Sequence, residues 1–247
     1  MQVSKDRGYN GTQLGFPAPL FYSRIYMKKP KILMVNNVPI REPLEGGKQR
    51  VYFFREGWRS AGFHVDLATV YDSRHDDLTG DDLAFSLEGL EYLRPDYLWE
   101  FDDYLIGKLA ARTARAVDWI VKGIESEDYD IIDLEHPWLW PLLRVALPRL
   151  KRKTPAIIYN SHNVEFEVKK QLAAKHEGNS IVAKLLEEQK RDELDLVARA
   201  ALVFTCSARD GEIFAPYANR VVEAPNGVRG RTLDFDERRR ALGRTPY

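Results

Sequence analysis

The sequence predicts an α/β protein in which a parallel sheet is covered by helices on both faces. Three observations carry this. Short continuous apolar runs recur, as strands buried on both faces require: Ile32-Leu33-Met34-Val35, Tyr129 to Leu134, Ala156 to Asn160 and Ala201 to Cys206. Segments with helical apolar spacing lie between them. The two kinds alternate along the chain, which is the order of βαβ units. At 247 residues the chain suits one large domain, or one domain with appendages.

In chain order, residues 1–29 read as an N-terminal extension with scattered Gly and Pro and no sustained period. The first strand follows Pro30. Val51, Phe54, Trp58 and Ala61 then recur at helical spacing, and Gly62 stops the helix. Phe63 to Val70 reads as the second strand. Residues 71–97 are acidic and carry no clear period. Over 98–125 the apolar residues Phe101, Leu105, Leu109, Val117, Ile120, Val121 and Ile124 form one stripe, which predicts a single long helix. Further helices are expected at about 139–151, 164–177 and 180–199. Ser207 and Asp210 have the spacing of a capping box, so a helix should start there. Val221-Val222 is a last short strand, ended by Pro225-Asn226-Gly227. A further helix could begin in the tail 234–247.

Composition excludes several classes. Lys plus Arg and Asp plus Glu are 37 each, so the net charge is zero and no basic nucleic-acid footprint exists. No apolar run approaches the roughly 18 residues of a membrane span. One cysteine rules out an internal disulfide framework and suits a reducing, cytoplasmic compartment. Residues 142–153 mix Leu with Arg144, Arg149, Lys151, Arg152 and Lys153. This is a core helix with a solvated side, or a basic face for an anionic membrane at the inner membrane surface.

In parallel sheets ligands bind beyond the carboxyl ends of the strands, where the strand order reverses. Candidate residues are therefore sought there. After the first strand, Gly46 and Gly47 precede Arg50 in the first turn of a helix. Glycines let backbone N–H groups approach a phosphate, and the helix start favours negative charge; an ordinary loop reads the same way. No G-x-G-x-x-G is present, which disfavours a dinucleotide site. At another strand end stand Glu135 and His136, followed by Trp138 and Trp140: a carboxylate, an imidazole and two indoles that could grip a sugar. Equally, Trp138 could anchor the core. The next strand end offers His162, Asn163 and Glu165; His162 could bond a hydroxyl or a phosphate, or Asn163 could simply cap the helix. The histidine spacing is not a metal pattern. Cys206 reads as a small buried hydrophobe.

Taken in order, these pieces resemble the N-terminal domain of a family 4, GT-B-fold retaining glycosyltransferase. Lys31-Ile32-Leu33-Met34-Val35 is similar to the opening strand, and Gly46-Gly47-Lys48-Gln49-Arg50 resembles the double-glycine loop. Gly62-Phe63-His64-Val65 matches the start of the second strand with one inserted Phe. Tyr129 to Asp133, Ser161 to Glu165, Ala201 to Ser207 and Pro225-Asn226-Gly227-Val228 match later family segments. Arg229 departs from the pattern, which has Asp there.

The resemblance implies a Rossmann-like domain, the first of two facing each other across a cleft. It would occupy 30–229, with 230–247 beginning the interdomain connection and the C-terminal domain absent. The implied activity moves a sugar from a nucleotide-sugar donor to an acceptor hydroxyl with retention, without a metal or other cofactor. The acceptor would be a glycan, a lipid-linked or a small molecule. This half would bind mainly the acceptor and face the donor diphosphate, and alone it is expected to be inactive. The implied catalytic residues are His162, Glu135 and His136. Gly46, Gly47 and Arg50 form the donor-phosphate loop, and Glu165, Asn163 and Trp138 the acceptor side. The alternative is a complete, non-catalytic carbohydrate- or nucleotide-binding module.

Overall fold

The computed structural model describes residues 29–40, 46–72, 83–89 and 99–226. Apart from Lys29, the expected extension 1–29 lies outside the described residues, as do 230–247 and Asp76, Asp77, Asp81 and Asp82. Seven strands form one sheet: β1 (Lys31–Asn36), β2 (His64–Asp72), β3 (Leu83–Leu87), β4 (Ile131–Leu134), β5 (Ala156–Asn160), β6 (Leu202–Thr205) and β7 (Val221–Glu223). Their order is β3-β2-β1-β4-β5-β6-β7 and every pairing is parallel. The expected α/β class with an all-parallel, Rossmann-like sheet is what the chain forms.

The helices are α1 (Gly46–Ser60), α2 (Asp102–Arg112), α3 (Ala114–Ser126), α4 (Trp140–Ala146), α5 (Glu165–Leu172), α6 (Ser180–Arg199) and α7 (Ala208–Phe214). β1 shows why the sheet is covered twice. Successive side chains point to opposite faces. Ile32 and Met34 join Val51 of α1, Val65 and Leu67 in one apolar cluster. Leu33 and Val35 join the larger cluster, with Leu105, Ile120, Trp140 and Leu143. Gly62 ends α1 at a positive φ of 83°, as its position in the sequence predicts.

Four expectations need correction. The long helix over 98–125 is two helices, with a 3-10 turn (Trp99–Phe101) before them. Thr113 sits between α2 and α3 in extended conformation, φ −91° and ψ 105°. Its hydroxyl donates to Leu109 O at 2.8 Å, and its carbonyl accepts from Ala116 N at 2.9 Å. It therefore closes one helix and opens the next, while the apolar stripe runs on across the break. The helix at 139–151 contracts to α4, because Pro148 offers no N–H and the chain tightens into a 3-10 turn. The helix at 164–177 ends at Leu172 and continues as a 3-10 turn. β3 emerges from the stretch that showed no period. It is an edge strand with alternating burial, so its sequence carries only half of an apolar signal.

Candidate functional site

The chain runs β1, β2, β3 outward in one direction and then resumes with β4 on the other side of β1. The order thus reverses between β1 and β4, the place where open parallel sheets accept ligands. Three segments converge beyond the strand ends there: the first turn of α1, the residues after β4, and those after β5.

After β4, Glu135 is fully buried, and His136 leads into the 3-10 turn Pro137–Leu139. After β5, His162 comes back over it. The rings of His136 and His162 are 3.9 Å apart between centroids. His162 Nε2 stands 3.4 Å from Glu135 Oε2. His136 Nδ1 lies 3.7 Å from Glu165 Oε1, and Asn163 Nδ2 donates to the same oxygen at 3.2 Å. Gly47 completes the group, since a Cβ there would lie 3.7 Å from His162 Nδ1. The structure therefore brings Gly47, Glu135, His136, His162, Asn163 and Glu165 together, with Gly46 in the same helical turn as Gly47.

Two nominated residues adjoin this group but are buried: Trp138, whose ring lies nearly parallel to that of His136 with centroids 6.1 Å apart, and Arg50. Trp138 is 3% exposed. Lys169 Nζ lies 4.9 Å from its ring centroid, and its backbone packs against Gly107 of α2. It anchors the core and presents no open face to a sugar. Arg50 does not project from the start of α1. It is buried, and its guanidinium turns inward. Nε and Nη2 both donate to Asn160 Oδ1, at 3.1 and 2.8 Å. Nη1 donates to Ala224 O and Asn226 Oδ1, each at 2.8 Å. Arg50 thus clamps α1 to the ends of β5 and β7 from behind the histidines.

The electrostatics follow from burial. Glu135 and Asp133 lie two residues apart on β4 and its end, and neither reaches water. Burial pushes the Glu135 carboxyl well above the usual range, and the neighbouring Asp133 adds to this against the pull of Arg50. Asp133 is likewise raised by burial, against the bond from Trp58 Nε1 at 2.9 Å and the charge of Arg50. Burial, then His136 and Arg50, push His162 far below its ordinary value, so its imidazole is neutral.

Some partners were not nominated from the sequence. Asn160 links Arg50 to Glu135, its Nδ2 donating to Glu135 Oε1 at 3.4 Å. A polar residue closing an apolar strand was the available signal. Glu193, from the middle of α6, accepts from Glu165 N at 3.0 Å and Phe166 N at 2.8 Å, and from Tyr159 Oη at 2.8 Å. It caps α5 across the fold. The N-cap position is Val164, so the reading of Asn163 as the helix cap is corrected. Ser207 does form the expected cap, accepting from Asp210 N at 3.2 Å.

On the basic segment, Arg144 pairs with Asp192 at 2.9 Å, Arg149 with Asp118 at 2.5 Å and Arg152 with Asp128 at 2.7 Å. These charges answer acids of the same chain, as the core-helix reading expects. Among the described residues no helix is long and apolar enough to cross a membrane, and no three His, Cys, Asp or Glu are grouped to hold a metal ion. A groove of about 530 Å³ runs along the flank of α1, between Phe53, Phe54, Trp58, Phe204 and Pro225. Its wall is mostly apolar but also includes Gly46, Gln49, Arg50 and Asn226; it does not include the histidine pair.

The chain thus forms a seven-stranded, all-parallel, Rossmann-like sheet with these side chains gathered at its switch point. No family model and no curated protein matches the chain. Among solved structures, sucrose-phosphate synthase from Thermosynechococcus elongatus matches 80% of this chain at 16% identity, with a TM-score of 0.53. The chain spans 48% of the length of that structure. An alpha-glucosyltransferase in complex with UDP-glucose and DNA containing an abasic site matches 82% of this chain and 44% of its own, at 12% identity and a TM-score of 0.43. The likeness to sucrose-phosphate synthase concerns the fold alone.

Proposed function

We propose that this chain is the acceptor-side half of a retaining glycosyltransferase of the family 4 type, working on a nucleotide-sugar donor from the cytoplasmic side. The observation that carries the reading is the meeting of His162, His136 and Glu165 with the Gly46–Gly47 turn at the strand-order switch point. A leaving diphosphate gains negative charge as the glycosidic bond breaks. The first N–H groups of an α-helix have no partner within the helix, and they favour an anion. Gly46 and Gly47 stand at that position in α1. The absence of a Cβ at Gly47 leaves the approach beside His162 open.

In this reading His162 offers the diphosphate or donor sugar a neutral hydrogen bond. Arg50 adds positive potential from behind, through Asn160. His136, Glu165 and the exposed Asn163 face the acceptor hydroxyls, of a glycan, a lipid-linked or a small-molecule acceptor. Backbone dipoles and neutral donors carry the charge stabilisation, so the reading calls for no metal.

The test uses the enzyme with both halves present, supplied with UDP-glucose and other nucleoside-diphosphate hexoses and a panel of hydroxyl acceptors. His162→Ala is expected to lower transfer about 100-fold, the usual cost of one preorganised donor, without unfolding the protein at the assay temperature. Wild-type transfer by that variant would remove His162 from the site. Turnover by residues 1–247 alone would contradict the assignment as half of an enzyme.

A further inference from the structure

Behind His162 lies a directed chain of hydrogen bonds. It starts at Arg50, which can only donate. Two of its N–H groups go to Asn160 Oδ1. This fixes the amide of Asn160, whose Nδ2 then faces and donates to Glu135 Oε1. Oε1 is therefore the accepting oxygen of Glu135. The other oxygen, Oε2, faces His162 Nε2. The opposite ring nitrogen, Nδ1, faces Gly47 in the first turn of α1.

Two arrangements fit these contacts. An ionised Glu135 would accept from His162 Nε2–H and turn a lone pair at Nδ1 toward the helix start. A neutral Glu135 would donate its proton to Nε2, leaving Nδ1 to carry the hydrogen. Glu135 has no exposed surface, and Asp133, two residues back on the same strand, is also fully buried. Among the described residues the guanidinium acting on both is that of Arg50, whose bonds go to Asn160, Ala224 and Asn226 rather than to either carboxyl. Two buried carboxylates beside one committed cation are costly, and one or both hold their protons instead. His162, itself neutral, cannot supply the missing charge.

We propose that Glu135 is a positioning residue: it keeps its proton, donates it in a hydrogen bond to His162 Nε2, and so holds His162 as the Nδ1–H tautomer facing the first turn of α1. An Nδ1–H there adds a donor to the backbone N–H groups of that turn, whereas a lone pair would repel an anion. The service to a diphosphate rests on the function proposed above; the tautomer does not.

The tautomer is read directly by nitrogen NMR of ¹⁵N-histidine-labelled, ligand-free protein at neutral pH. The chain has five histidines, and the His162 signals are those lost in His162→Gln. A protonated Nδ1 with a bare Nε2 is expected. Glu135→Gln preserves the direction of the chain, because its carbonyl can accept from Asn160 and its NH₂ can donate to Nε2; the same tautomer is expected. Glu135→Leu removes the constraint, and the Nε2–H form is expected to appear. A protonated Nε2 in the wild type overturns the proposal, as does loss of the Nδ1–H form in Glu135→Gln. If Glu135→Leu does not fold, the other two proteins still decide. Because no ligand is present, the result is independent of whether a nucleotide binds.

Discussion

Gly107→Ala is expected to destabilise the protein by about 3–5 kcal/mol, near the upper end of what single substitutions do. Gly107 lies inside α2, where Ala would normally gain about 1 kcal/mol over Gly. Here a Cβ would stand 1.6 Å from Trp138 O and 2.8 Å from Trp138 C. Both are backbone atoms, so no rotamer change can relieve the clash. The helix must lift from the 3-10 turn Pro137–Leu139, which directly follows His136. Stability and the histidine pair should therefore suffer together. Gly57→Ala is the matched control. Gly57 is an exposed position in α1 with nothing within 4 Å of its would-be Cβ, and a gain of about 0.5–1 kcal/mol is expected. Urea unfolding of the two variants checks both. Equal stabilities would mean that α2 and the turn are not in contact.

Arg50→Ala is expected to cost about 3–5 kcal/mol, the range for removing one member of a buried charged network. Asn160 Oδ1 and Ala224 O would lose their donors, and Asp133 and Glu135 would lose the positive charge of Arg50 that favours their ionised forms. The melting temperature should fall by roughly 10 °C for a protein of this size. Arg50→Lys should recover little, since an ammonium cannot reach three acceptors in the fork geometry of a guanidinium. A variant that melts like the wild type would show that the clamp joining α1, β5 and the residues after β7 does not hold the fold.

That clamp also marks where sequence reading stopped. β1, β4 and β5 are legible because a strand buried on both faces must be continuously apolar; β6 is also continuously apolar although only its alternate residues are fully buried. Their carboxyl ends point to Glu135, His136 and His162 from the sequence alone. Arg50 was noticed as well, but for its place in a first helical turn. Its partners lie 110 to 176 positions away, and no local pattern encodes that distance. Glu193 was hidden differently. A carboxylate in the middle of a long polar helix looks solvated, yet it is fully buried and caps another helix. Trp138 illustrates the ambiguity of aromatics at strand ends: the same indole suits a sugar platform or a core, and only the packing of α2 decides it. β3 and the break at Thr113 escaped because half-exposed edges and β-branched hinges leave no periodic mark.

The central claim is that the first turn of α1 and His162 face the diphosphate of a nucleotide sugar. Titration of the ¹⁵N-labelled enzyme, with both halves present, with UDP tests it most directly. The account predicts saturable shifts at the Gly46 and Gly47 amides and at the His162 ring, weakened in His162→Gln. Shifts at the groove residues, Gly46 included, with none at the Gly47 amide or the His162 ring would contradict it.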